Sequence, residues 1–380
     1  MERKLKPIET RKQKCGMENV ENNKSIIAEE PVVDKEENGK MKWVETEVDL
    51  SQHITKFVDD YVYELSKERM DMSRPLWDLH ILNLKTHDAQ ALAVLRMHHA
   101  LGDGASINSL LLACTRQTAN PQLFPTTIPT RSPSANKTLK APKNLLKLTI
   151  NDVALGVTQA ALSMYLNRRY GKRDIGSIEG QNNLPKNVRL RSCLFFNLRP
   201  AKGIQALADM MKKEKGESKW GWGNRFGYAI LPLQIGMLND PLDYVRQAKA
   251  TADRKKYSYE PIFTYFLANF VIKFFGPKAA AILTNKIFSN ASTCFSNVVG
   301  PREEIEFYGH PIAFIAPTCY GQPSALMVHF QSYVDKMAVI ISVDDNVIPD
   351  PNQLLDDFEK SLHLIKDAAA ATTSSPTTNL

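Results

Sequence analysis

Hydrophobic and polar residues alternate along MKWVETEVDL, from Met41, in the manner of a strand with one buried face. Phe57, Tyr61 and Leu65 then recur at a spacing of four, which predicts a helix of about three turns. SRPLWDLHIL reads as extended, because Pro75 disfavours helix before it and the apolar residues after it suit a strand. ALAVLRMHH follows the turn-like KTHDAQ, so the two runs predict antiparallel neighbours in one sheet, with the histidines closing the second strand. Past Gly102-Asp103-Gly104, Ser106 is placed to cap a helix carrying Ile107, Leu110, Leu111 and Leu112.

Further on, TINDVALGVTQAALSMYLNRRYG predicts a long helix, with Thr149 and Asp152 spaced as a capping box and Gly171 as its stop. SCLFFNLRP, FGYAILPL, IAFIAPTCYG, ALMVHFQSYV and KMAVIISVD read as strands. Asp350 and Pro351 suit the cap and first residue of a last helix, whose apolar face is Leu354, Phe358, Leu362 and Ile365. The most apolar window, Pro261 to Ile287, holds three lysines and breaks at Gly276-Pro277, so it predicts two helices, packed in the core in preference to lying in a membrane interface. No segment is expected to span a membrane.

Strands and helices are mixed without regular alternation, which predicts an α/β fold with mixed sheets and flanking helices. Residues 1–40 are charged and aperiodic and predict a disordered tail. Residues 41–120 form a first lobe. Residues 121–142, dense in Pro, Ser and Thr, form a linker; residues 143–370 a second lobe; residues 371–380 a disordered tail.

Composition narrows the function classes. With 43% hydrophobic residues in 380, the chain has enough apolar content for a globular core. Its net charge of +7 suits an anionic substrate or an anionic membrane surface. No basic run is interleaved with aromatics, so nucleic acid is not an expected partner. Five scattered cysteines without a CxxC pair point to reduced thiols and away from structural zinc. The basic N-terminus lacks the apolar core of a secretion signal.

The candidate chemistry lies in LRMHHALGDGAS. Adjacent residues of a regular strand point to opposite faces, so His98 and His99 are not expected to share a metal. A histidine facing a cleft suits general-base work, since an imidazole with a pKa near 6.5 is largely neutral at about pH 7. Asp103 has two readings: partner of the imidazole, or partner of an arginine that locks the turn, with Gly104 giving the turn its freedom. The pair could equally be two ordinary histidines at a strand end.

The full HHALGDG string fits the HHxxxDG motif of CoA-dependent acyltransferases, and the chain resembles the plant wax ester synthase/diacylglycerol acyltransferase family. SRPLWDLHILNLKT, TINDVALGVTQAALSMYLNRRYG, NLRP, SNVVGP and SYVDKMAVIISVDDNVIPDP carry the resemblance, over roughly Met41 to Ala370. It implies a two-lobed fold with a channel between lobes. His99 would be the catalytic base, with His98, Asp103, Gly104, Asn151, Arg199 and Asn297 in support, and Arg199 the partner of Asp103.

The implied reaction moves an acyl group from acyl-CoA to a fatty alcohol or diacylglycerol, with no metal or cofactor, at the cytosolic face of the endoplasmic reticulum membrane. Against the family pattern, the charged tail stands where further strand and helix residues are expected, and the stretch before TINDV lacks an apolar segment. An incomplete first lobe is therefore expected. The alternatives are a catalytically impaired acyl-CoA or lipid binder, a relative using a phenolic or amine acceptor, and a metal-dependent hydrolase built on His98, His99 and Asp103.

Overall fold

The computed structural model describes residues 42–45, 51–86, 89–126, 148–171, 182–186, 188–199, 222–256 and 258–374. The expected N-terminal tail and residues 127–142 of the linker lie outside these residues. The chain divides into two compact units at Leu101/Gly102, inside the HHALGDG string and about twenty residues before the sequence places its linker. The division falls there because the helix after the string makes its long-range bonds within the second unit, as described below.

The first unit is a three-stranded sheet with one helix. Strand β1 (Lys42–Glu45) runs parallel to β2 (Trp77–Asn83), which pairs antiparallel with β3 (Leu92–Met97). A parallel pair needs a crossover, and α1 (Ser51–Lys67) supplies it. Leu82 and Leu84 form the small core beneath Phe57, Tyr61 and Val94. Asp78 and Arg96 face each other across β2 and β3. The guanidinium donates to both carboxylate oxygens, the shortest bond 2.6 Å, and its other arm reaches the Leu65 carbonyl near the end of α1. Burial alone would raise the Asp78 carboxyl, but the bonds from His80 and Arg96 outweigh it and hold it at about 2. Trp77, at the start of β2, is 47% exposed.

In the second unit a five-stranded sheet runs in the order β11-β10-β7-β5-β6. Its strands are β5 (Leu190–Asn197), β6 (Phe226–Leu233), β7 (Thr293–Val298), β10 (Leu326–Tyr333) and β11 (Lys336–Val343). The central three are parallel and the outer two antiparallel to their neighbours. Against one face pack α3 (Ile150–Gly171), α4 (Pro241–Lys256) and α6 (Pro351–Ser374), closing the main core around Leu155, Phe295, Val328 and Phe358. The capping box opens α3: Asp152 Oδ2 accepts from Thr149 N–H at 2.7 Å, and Asp152 N–H returns to Thr149 Oγ1. The Tyr165 hydroxyl and the Arg168 fork tie α3 to Asp350 and Asp357 of the last helix segment. In a minor sheet β8 (Ile305–Phe307) pairs on one side with β4 (Arg116–Gln117), which follows α2 (Gly104–Cys114), and on the other with β9 (His310–Pro311). The remaining helix, α5 (Glu260–Phe288), starts along the free edge of β6. Thr264 Oγ1 accepts from Tyr228 N–H and donates to its carbonyl, both at 3.0 Å, and Glu260 Oε1 accepts from Ile230 N–H at 2.9 Å. Side chains thereby satisfy the outward main-chain groups of an edge strand.

Several expectations are corrected. IAFIAPTCYG forms no strand: residues 312–320 carry no regular secondary structure, and Pro317 has no N–H to give a ladder. Asn297 lies within the central β7, a strand that the sequence reading did not assign. Leu362 is 48% exposed although Leu354, Phe358 and Ile365 are buried, because it lies at the margin of the stripe they define. The last helix runs to Ser374, past the expected start of the tail at residue 371, carried by a run of alanines with high helix propensity. The apolar window at residues 261–287 is not core: α5 is largely exposed, since only its two ends meet the sheet.

His329 stands mid-strand on β10, sharing a sheet face with Met327, and is only 6% exposed. Among the described residues neither ring nitrogen finds a hydrogen-bond partner, and burial pushes its pKa down to about 4. The unfolded chain therefore binds a proton near pH 6.5 that the folded one takes up only near 4, so stability falls as pH drops through that window and levels off below it. The expected loss is up to about 3 kcal/mol. Urea midpoints for the wild type and His329→Phe between pH 7 and 4 check this; parallel pH dependences for the two would sink it.

Candidate active site

Strand β3 stops at Met97, so the two histidines sit in the turn that follows it and not in the strand. His98 N–H still donates to the Leu76 carbonyl at 2.9 Å, and Leu101 N–H closes the turn onto the His98 carbonyl at 3.0 Å. His98 Nδ1 accepts from Ala100 N–H at 3.1 Å, which leaves its other nitrogen to carry the proton of the neutral ring. His98 is thus occupied in shaping the turn, and His99 next to it is exposed. The strand alternation that separates the rings in the sequence reading does not operate in a turn. Exposure distinguishes them instead, His98 being half-buried and His99 exposed. Among the described residues no group of three or more His, Cys, Asp or Glu side chains is placed to hold a metal.

Asp103 opens the second unit as the N-cap of α2, its backbone extended and its Oδ1 accepting from Ser106 N–H at 3.0 Å. The cap is therefore Asp103, where the sequence suggested Ser106. An aspartate ahead of a helix accepts from the third residue on, whereas the Ser106 hydroxyl points elsewhere. It donates to the Gly223 carbonyl at 3.0 Å and accepts from Gly223 N–H. Arg199 completes the knot. Its Nη1 donates to Asp103 Oδ2 at 2.7 Å and its Nη2 to Ser106 Oγ at 3.0 Å, while Arg225 N–H adds a bond to the same Oδ2 at 2.9 Å. Both charged side chains are under a tenth exposed. Such a buried pair is tolerable only with its other lone pairs satisfied, and here Asp103 receives three donors.

Gly104 has open space around the position of a Cβ and takes no left-handed φ, so the turn does not depend on it. The tight position is Gly102, whose Cβ would stand 2.8 Å from that of Ser106 and 3.4 Å from the Trp222 ring. Sequence reading singled out Asp103 and Arg199, took Ser106 only as a helix cap, and missed Gly223 and Arg225; the glycines and tryptophan of GWGNR were the available signal.

Asn151, in the first turn of α3, accepts at Oδ1 from Asn297 Nδ2 at 2.5 Å, so the structure brings these two together at the end of β7. Helix α2 supports the same stretch, Asn108 Nδ2 donating to the Val299 carbonyl at 3.0 Å. Gly300 then passes so close to β10 that a Cβ would lie 2.0 Å from the Ser332 carbonyl oxygen. Its N–H bonds Ser332 Oγ, and Val334, held at φ 54 in the β10–β11 turn, donates to the Pro301 carbonyl at 2.9 Å. A valine rarely adopts that conformation, and this bond helps to hold it. Gly300→Ala is expected to destabilise the second unit by about 1–3 kcal/mol. Chemical denaturation measures this, and an unchanged midpoint would show that the strands yield.

Two family profiles cover these stretches apart from Arg199, which lies between the matched ranges. The profile of the wax ester synthase/diacylglycerol acyltransferase catalytic domain matches residues 7–171, and that of the WS/DGAT C-terminal domain matches residues 222–366. Wax ester synthase/diacylglycerol acyltransferase 11 of Arabidopsis thaliana is 38% identical over 412 residues, covering 87% of this chain and 84% of its own. The chain belongs to the wax ester synthase/diacylglycerol acyltransferase family. Member 4 from the same plant is 40% identical, with 88% of this chain and 80% of its own covered. Among solved structures, the wax ester synthase/diacylglycerol acyltransferase from Marinobacter aquaeolei VT8 shares the fold, at TM-score 0.54 and 18% identity over 91% of this chain and 83% of that one. The catalytic-domain match reaches back to residue 7, into the stretch that composition marks as a tail. An alignment of 412 residues drawn from part of a 380-residue chain also means that the plant relative holds segments, inside the matched span, that this chain lacks.

Proposed function

We propose that the protein transfers a fatty acyl group from acyl-CoA to a long-chain alcohol or diacylglycerol, giving a wax ester or triacylglycerol. The observation that carries this is membership of the wax ester synthase/diacylglycerol acyltransferase family along most of the chain.

His99 is the general base in this reading. Its imidazole takes the hydroxyl proton as the alcohol oxygen bonds to the thioester carbonyl carbon. The tetrahedral adduct then collapses with loss of the C–S bond, and the imidazolium returns its proton to the departing CoA thiolate. The turn built by His98 presents the ring, and the Asp103–Arg199 knot anchors the chain four residues further on. No acyl-enzyme, metal or cofactor is used. The protein works at the cytosolic face of the endoplasmic reticulum membrane, where both lipid substrates are available.

Purified protein supplied with labelled acyl-CoA and either hexadecanol or diacylglycerol tests the proposal. Ester above the level of His99→Ala supports it; no difference between the two overturns it. A second reading is favoured by the segments missing relative to the plant relative: an impaired member that binds acyl-CoA without turning it over. Acyl-CoA binding that His99→Ala leaves unchanged, together with absent turnover, would establish that reading.

A further inference from the structure

Helix α5 does not run straight. A continuous 29-residue helix would be about 43 Å long, with Thr264 and Phe288 roughly 36 Å apart. Yet Thr264 bonds the Tyr228 main chain, and the Phe288 ring packs edge-on against the Tyr228 ring at 5.2 Å and the Phe195 ring at 5.9 Å. The two ends therefore return to the same edge of the sheet. The bend is at Gly276, where φ is 82° and ψ is 170°, followed by Pro277, which cannot donate back into the preceding turn. The element is a helical hairpin rooted on β5 and β6.

Its arms carry large apolar side chains into solvent. Phe263, Phe266, Phe270 and Phe274 fall within about 80° of one another on the first arm, and each is more than half exposed. Phe275, at the bend, is 68% exposed, and Ile282 on the returning arm 71%. Lys273 and Lys278 flank the bend, Lys286 lies near the root, and no acidic residue occurs from 261 to 288. Phenylalanines tipped with lysines and free of carboxylates match a lipid surface with anionic headgroups, where rings enter the acyl region and ammonium groups stay among phosphates. The arms, roughly 24 and 18 Å long, are too short to cross a hydrocarbon layer of about 30 Å.

We propose that the α5 hairpin inserts its bend into one leaflet of an anionic phospholipid membrane and holds the enzyme there without spanning it. The proposal rests on the membrane location proposed above and supplies the element responsible.

Flotation of the full chain with vesicles of phosphatidylcholine, with and without phosphatidylserine, tests it, together with ester synthesis on detergent-dispersed substrates. The wild type is expected to float with the anionic vesicles. Phe270→Ser/Phe274→Ser/Phe275→Ser, whose altered side chains are exposed, should lower partitioning at least tenfold. Lys273→Glu/Lys278→Glu should lose the preference for phosphatidylserine, and both variants should keep the wild-type rate on dispersed substrate. Flotation of the triple-serine variant equal to wild type overturns the proposal, as does a wild-type dimer, seen by light scattering, that the serines dissolve while no flotation occurs. Hairpin-dependent flotation without ester synthesis upholds the anchor and overturns the acyltransferase reading instead.

Discussion

His99→Ala lowers ester formation by about 10²–10⁴-fold, the range that removal of a general base ordinarily produces. The side chain is exposed in a turn, so thermal unfolding of the variant should lie close to that of the wild type. That combination separates a lost proton acceptor from a lost fold. His98→Ala supplies the contrast. It removes the acceptor for Ala100 N–H and loosens the turn, so its defect should be smaller and partly restored by asparagine, which can accept the same bond. Product measured by labelled acyl-CoA turnover decides the matter. If the two single variants lose activity equally and asparagine restores nothing, the division of labour between the histidines is wrong.

Arg199→Ala should be the most damaging change to stability in the second unit. It leaves the Asp103 carboxylate buried with two main-chain donors and no counter-charge, and it strips a bond from Ser106. Breaking a buried pair from one side costs about 3–5 kcal/mol. For a unit of this size that is a fall in Tm on the order of 10 °C. Arg199→Lys keeps the charge but cannot reach Asp103 and Ser106 with one fork, and should recover only part of the loss. Scanning calorimetry of the three proteins tests this; a loss below about 1 kcal/mol for Arg199→Ala would show that water replaces the guanidinium at little cost.

Elements specified by neighbouring residues were legible in the sequence. The four-residue spacing of Phe57, Tyr61 and Leu65 gave α1, and the Thr149/Asp152 box fixed the start of α3 to the residue. What escaped depends on distant partners. The strand TCFSNV holds three polar side chains in six, yet Thr293, Cys294 and Phe295 are buried because strands lie on both sides of β7. IAFIAPTCYG opens on five apolar residues as a buried strand does, but an apolar run does not supply a pairing partner. Likewise the apolar content of α5 does not say whether its phenylalanines face protein or solvent. Within the candidate site, the pairing of Asp103 with a residue 96 positions away came from family resemblance alone. The GWGNR contribution was missed because it is made by main-chain donors and acceptors, whose partners its glycines and tryptophan do not name.

The cover over β6 has a consequence for how molecules of this enzyme encounter one another. With Thr264 and Glu260 displaced, Tyr228 and Ile230 would offer their main-chain groups as a template on which a second chain could extend the sheet. The first turn of α5 is therefore a guard against aggregation as well as the root of the hairpin. Whatever pulls on the far end of that hairpin loads the one turn that keeps the sheet from pairing with its neighbours in a crowded cell.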